Sequence, residues 1–274
     1  MRLFVHITLL FFLSWGLFSC SGKKGDAKNY LEEARQAYKE SNYMLAKLKI
    51  DSIKILFPKS FDEITAGFAL MQQIRMSENT RNIIYCDSML REQYSQLNEM
   101  LTKFDFVRDD RYQEFGEYYP KIYPHGASLD RNGLRSGVGE KGALFIESVL
   151  SGTAIQHHQI KVRSRDGSFA ESLSVSSDGL NYRFKTLDKS FEVVRFTGNY
   201  ENGLAQFIYT FQNEPLTVEF IGKRTISASL SNAAKQGIAY SFELSTLLLN
   251  IEQLKFEKEK SETLIRYLES KNKT

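Results

Sequence analysis

The stretch Ala143-Leu144-Phe145-Ile146-Glu147-Ser148-Val149-Leu150, closed by Ser151-Gly152, decides the fold. A short, mostly apolar run rich in branched and aromatic side chains, bounded by a turn pair, reads as a β-strand. The chain repeats that texture at 155–162, 191–196, 204–211, 216–221 and 225–230. Turn dipeptides punctuate the runs: Asp166-Gly167, Asp178-Gly179, Gly198-Asn199 and Asn202-Gly203. Upstream, the glycine-rich segment 126–142 carries neither a phosphate loop nor a dinucleotide fingerprint, and it reads as turns around a short strand at 134–138. Short strands at this spacing, with no helices between them, predict an antiparallel sandwich or barrel and exclude a parallel Rossmann-type sheet.

On either side of the strands the period changes to that of helices. Tyr30, Leu31, Ala34, Ala37 and Tyr38 recur at helical spacing, and Ser41-Asn42 interrupts them and caps a second helix carrying Leu45, Ala46, Ile50, Ile53 and Phe57. Pro58 ends that helix, and Ser60-Phe61-Asp62-Glu63 has the form of a capping box for a third. After Ser77 a fourth helix is expected, with Ile83, Leu90, Leu97 and Phe104 spaced by seven and Tyr94 and Leu101 on the same face. A long C-terminal helix carries Leu244, Leu247, Ile251 and Leu254, then Ile265 and Leu268 after the polar interruption at 258–261. The expectation is an α+β chain: helical hairpins at 28–104, an antiparallel β domain at 105–231, and a helix at 232–274 whose seam packs antiparallel against the last N-terminal helix.

Within 28–58, Tyr30, Ala34, Tyr43, Ala46, Ile50 and Pro58 fall where a tetratricopeptide repeat places its aromatic, small and closing residues. The segment resembles one such repeat, departing from the pattern at Glu33 and Ala37. No second full copy follows, so the resemblance implies a single hairpin inside a bundle rather than a peptide-binding solenoid.

The N-terminus has Arg2, an apolar run at 3–18, and then Ser19-Cys20. This is the layout of a secretory signal at 1–19. With cysteine directly after the cut, it resembles a bacterial lipoprotein signal. The resemblance implies that Cys20 becomes the first mature residue and carries lipid, with 20–27 as a polar tether; the alternative is an uncleaved anchor. Ser21 after the cysteine and the lack of an acidic run imply an outer-membrane protein facing the periplasm. Asp51-Ser52-Ile53 and Asp87-Ser88-Met89 match a short O-glycosylation pattern of Bacteroidales envelope proteins, and the order of parts resembles envelope lipoproteins of that type.

A formal charge of +3 is too small and mixed to predict nucleic acid as a partner. With Cys20 lipidated, Cys86 has no partner for a disulfide, and its apolar neighbours predict a small buried residue. His157-His158, placed in the strand 155–162, point to opposite faces and cannot ligate one metal; with His125 the one other histidine after Cys20, neither a metal set nor a cofactor motif is expected. No G-x-S-x-G elbow positions a nucleophile, and Asp109-Asp110 reads as a helix-terminating turn rather than a glycosidase pair. The densest aromatic cluster is Tyr112, Phe115, Tyr118, Tyr119 and Tyr123. It is either a surface for a sugar or a protein partner, or packing at the joint between helices and strands. The sequence therefore points to a non-enzymatic, membrane-tethered interaction or scaffold protein with an envelope protein partner. Glycan binding through the β domain and the aromatic cluster is the alternative.

Overall fold

A computed structural model describes residues 26–123, 132–152, 154–176, 181–186 and 189–272. Three helices come first: α1 (Ala27–Lys39), α2 (Tyr43–Leu56) and α3 (Phe61–Leu101). Eight strands follow: β1 (Phe104–Val107), β2 (Glu117–Pro120), β3 (Gly133–Gly139), β4 (Leu144–Gly152), β5 (Gln159–Ser164), β6 (Phe169–Glu171), β7 (Asn181–Lys185) and β8 (Ser190–Thr197). Then come α4 (Leu204–Thr210), β9 (Leu216–Ile221), β10 (Thr225–Ser229) and the long α5 (Asn232–Asn272). The architecture is α+β, as expected, with two antiparallel sheets, no closed barrel among the described residues, and α5 packed on α3. Two units result, one from Met1–Asn82 with Ser261–Thr274 and the other from Ile83–Lys260.

In the first unit the α1–α2 hairpin closes through small residues. Ala34, Ala37 and Ala46 are buried, and their size lets the two helices approach while Leu31, Ile50 and Ile53 fill the seam with Leu70 and Ile74 of α3. Asp26 caps α1 by accepting from the Asn29 amide at 2.8 Å, and Asn42 caps α2 through Leu45. Ser41 takes the left-handed conformation (φ 58°) that lets the amides of Ser41 and Asn42 reach back to the carbonyls of Tyr38 and Ala37. The helix break expected at Ser77 is absent, and α3 runs through it. The Ser77 hydroxyl bonds the Tyr38 hydroxyl at 2.9 Å, so the serine is satisfied laterally and does not compete for the backbone. Asn82 of α3 donates to Ser261 of α5 at 2.8 Å.

In the second unit the sheet orders are β1-β2-β3-β4-β8-β7 and β10-β9-β5-β6. Alternate residues of each sheet meet in one core: Leu134, Ile146, Leu150, Val194 and Phe196 from the first, Ile160, Val162, Leu216, Val218 and Phe220 from the second. Here α3 and α5 run antiparallel: Asp87 pairs with Lys258 at 2.6 Å, Lys255 lies over Tyr94, and Lys103 over Tyr240. Leu244, Leu247 and Ile251 are buried, so the predicted seam is spent within the chain.

Three local expectations are corrected. The run 204–211, expected as a strand, forms helix α4 over Leu204–Thr210. Leu204, Ala205 and Ile208 bury one helical face, and the Glu201 carboxylate accepts from the Gly203 and Ala205 amides at its start. α3 ends at Leu101, and Phe104 opens β1 instead of extending the helix. Asp109-Asp110 consequently does not terminate a helix. It begins the connection from β1 to β2, and its charges are met by Arg111 and Arg108.

Candidate functional site

Of the strand expected at 155–162, residues 155–158 are not strand; they form an irregular lead-in to β5. Gln156 is left-handed (φ 56°), which turns the chain so that Glu192 of β8 accepts from the amides of both Gln156 (2.7 Å) and His157 (2.9 Å). The His157 ring then lies wholly buried, edge-on to Phe220, with Nδ1 2.7 Å from Glu192 and Nε2 2.7 Å from Ser148 Oγ. Burial alone would raise the Glu192 carboxyl. The two amides and the ring N–H outweigh it and hold the carboxyl below its usual range. Burial likewise holds His157 below its ordinary value despite Glu192. An ionised Glu192 fixes the tautomer: Nδ1–H donates to it, and Nε2 accepts from Ser148.

These are the distances of a nucleophile, a base and its orienting acid. The surroundings differ from those of an active site. Ser148 and His157 are fully buried, Glu192 nearly so, and none of the three lines a cleft described below. The chemistry the arrangement performs is structural, tying β4, β8 and the entry to β5 by charge-assisted hydrogen bonds. The sequence carried one signal for it, a glutamate in the apolar run 191–196, because a carboxylate in a buried strand requires partners.

The outer face of the first sheet holds a second polar cluster. Arg195 of β8 reaches Glu147 of β4 (2.9 Å) and Glu117 of β2 (2.7 Å) over the Phe145 ring, and Arg135 of β3 closes on Glu147 at 2.6 Å. Burial alone would lower the Arg195 guanidinium, but the two carboxylates raise it instead. Tyr119 joins by donating to Glu117, and burial first, then this bond, pushes its hydroxyl up to about 12.

The five aromatic residues singled out in sequence separate. Tyr112 and Phe115 are exposed on the β1–β2 connection, under Arg111 and Lys141. Tyr118 and Tyr119 are consecutive in β2 and so face opposite ways. Tyr118 packs on Phe106 and toward Leu244, and Tyr119 on Phe145. The Tyr123 hydroxyl is fixed at 2.6 Å from Ser136, whose own hydroxyl bonds Ser241, and its ring occupies space that only a glycine at 237 leaves open. The same β1–β2 connection contributes to an open cleft of about 640 Å³ lined by Asp109, Asp110, Arg111, Gln113, Glu117 and Tyr119, and neither Tyr112 nor Phe115 is among its lining residues. Cys86 is buried, and burial pushes its thiol up. Cys20 and His125 lie outside the described residues.

In the helical unit the surface is unusually apolar. α2 buries Ala46, Ile50 and Ile53, yet on its opposite face Met44 is 80% exposed, Leu48 60% and Ile55 76%. On α3, Phe68 stands 64% exposed between two clefts. One, of about 210 Å³, includes Ile64, Met71 and Lys54; the other, of about 430 Å³, includes Ala69, Gln72 and Met76. A helix apolar on both faces is ordinarily covered on both. Nothing in the periodicity of 43–57 separates the covered stripe from the bare one, which is why the sequence did not reveal this surface.

Among the described residues no group of three histidine, cysteine or acidic side chains is placed to hold a metal, and no helix is long and apolar enough to cross a membrane. The chain matches no family model, no curated protein and no solved structure.

Proposed function

We propose that the chain is a membrane-anchored lipoprotein of the cell envelope, held by lipid on Cys20 and acting as a non-enzymatic interaction or scaffold protein. The observation that carries this reading is Phe68, an exposed aromatic with a cleft on either side, in the same unit as α1, whose first residue, Ala27, is seven residues after Cys20. Large aromatics flanked by pockets are the side chains that dominate protein interfaces. The heptad seams are occupied by the α3–α5 pairing, so the partner face is assigned to Phe68 and its clefts. A photo-crosslinking residue at position 68, expressed in cells, is expected to capture one discrete envelope protein, and to lose it with Cys20→Ala. Absence of any adduct at position 68 with the anchor intact contradicts the reading.

A second reading is supported by the polar cleft of carboxylates and guanidiniums in the β1–β2 connection, a segment that also carries the exposed rings of Tyr112 and Phe115, a combination suited to a carbohydrate. Under it, a glycan array gives a ligand whose binding is lost in Tyr112→Ala; an array without binders removes it.

A further inference from the structure

We infer that the turn joining α2 to α3 is a membrane-dipping tip, seated at the boundary between lipid headgroups and acyl chains. The inference rests on the anchored reading above and adds which end of the α1–α2 hairpin faces the bilayer.

Three large apolar side chains crowd this one turn with most of their surface bare: Ile55 and Leu56 at the end of α2, and Phe61, 73% exposed, at the start of α3. Phe57, between them, turns the other way and packs its ring on Tyr30 at 5.6 Å. That contact fixes the turn beside the first turn of α1, where Asp26 caps the helix. The chain therefore enters this unit at the same end as the bare apolar cluster. Cys20–Gly25 is six residues and spans at most about 20 Å. A lipid on Cys20 holds this end near the surface, while the Ser41-Asn42 end of the hairpin stands a further helix length, about 20 Å, away.

The charges agree. Lys54 and Lys59 bracket Ile55 and Leu56 and precede Phe61, giving this turn the mix of basic and apolar side chains of an interfacial anchor, and the tether sequence adds Lys23 and Lys24. Asp62 and Glu63 are also nearby, in the first turn of α3, where the helix N-terminus favours acidic side chains. A second copy of the chain or a protein partner could also cover apolar residues. The position of the tether, however, puts lipid within reach of this turn.

The only tryptophan, Trp15, precedes Cys20, so a chain starting at Cys20 has no native tryptophan to compete with a reporter under tryptophan-selective excitation. Single reporters Ile55→Trp, Phe61→Trp and Met44→Trp are introduced into that chain, which is coupled through Cys20 to a maleimide lipid; Cys86 is buried and does not compete. On phosphatidylethanolamine–phosphatidylglycerol vesicles with brominated acyl chains, emission at positions 55 and 61 is expected to shift to the blue. It should be quenched severalfold more than at position 44, which is at the far end of α2. Unquenched emission at 55 and 61, or equal quenching at all three, overturns the inference. So does an in-cell photo-crosslink from position 55 to a protein in place of lipid. Because the coupling is chemical, a negative result leaves lipidation of Cys20 standing. Conversely, failure of Cys20 to acquire lipid in cells defeats the anchored reading without altering the vesicle result.

Discussion

Glu192→Leu is expected to destabilise the β unit by about 3–5 kcal/mol, the largest loss of any single substitution considered. The leucine fills the volume but leaves the buried His157 amide and ring N–H without their acceptor, each a costly orphaned donor, and frees the Gln156 amide at the exposed edge of the cluster. The same cluster sets an acid sensitivity. In the fold His157 is neutral and its pKa is depressed by burial, whereas in the unfolded chain it protonates near the ordinary value of about 6.5. Below that pH the unfolded state binds a proton that the folded state does not, so stability falls with acid by up to about 1.4 kcal/mol per pH unit. Glu192, held low in the fold, adds a loss of the same sign as pH falls through its folded value. Urea denaturation across this range measures both, and His157→Asn is expected to flatten the upper part of the profile. Stability independent of pH between about 7.5 and 5.5 would contradict the assignment of a neutral, buried imidazole.

Gly222→Ala is expected to cost about 2–3 kcal/mol through backbone rather than side-chain contacts. A Cβ at 222 would collide with the Ile155 carbonyl oxygen and lie 2.9 Å from the Cα of His157. Those two stretches are already zipped: the Lys223 amide donates to Ile155 at 2.7 Å and the His158 amide to Ile221 at 3.0 Å. The clash cannot relax by a rotamer change, so the lead-in must shift and carry His157 away from Glu192 and Ser148. A double-mutant cycle with Glu192→Leu should therefore be strongly non-additive. Gly133→Ala, which meets open space at an ordinary φ, is the control and should be nearly neutral. Comparable losses at 133 and 222 would show that the close approach is not what requires glycine at 222.

The sequence made the architecture legible where periodicity and punctuation agreed. The strand 216–221 and the cap at Asn42, both read from the chain, illustrate it; the cap at Asp26 is seen only in the structure. It misled where short apolar runs carry both periods at once, as at 204–211, where the deciding feature is the Glu201 carboxylate at the helix start. The buried polar cluster joins residues 148, 157 and 192, a pairing that depends on β4 lying beside β8 and is invisible without strand order. Tyr118 and Tyr119 could have been separated in advance. The argument that places adjacent strand residues on opposite faces, applied to the two histidines, holds equally for the two tyrosines. The bare face of α2 could not, since an apolar residue reads the same whether covered or exposed.

The account stands or falls on the anchor. Metabolic labelling with palmitate, followed by isolation of the protein from cells, tests it most directly. The account predicts label on the native chain, none on Cys20→Ala, and release of the variant from the membrane fraction. Palmitate retained by Cys20→Ala, or never incorporated into the native chain, would contradict it.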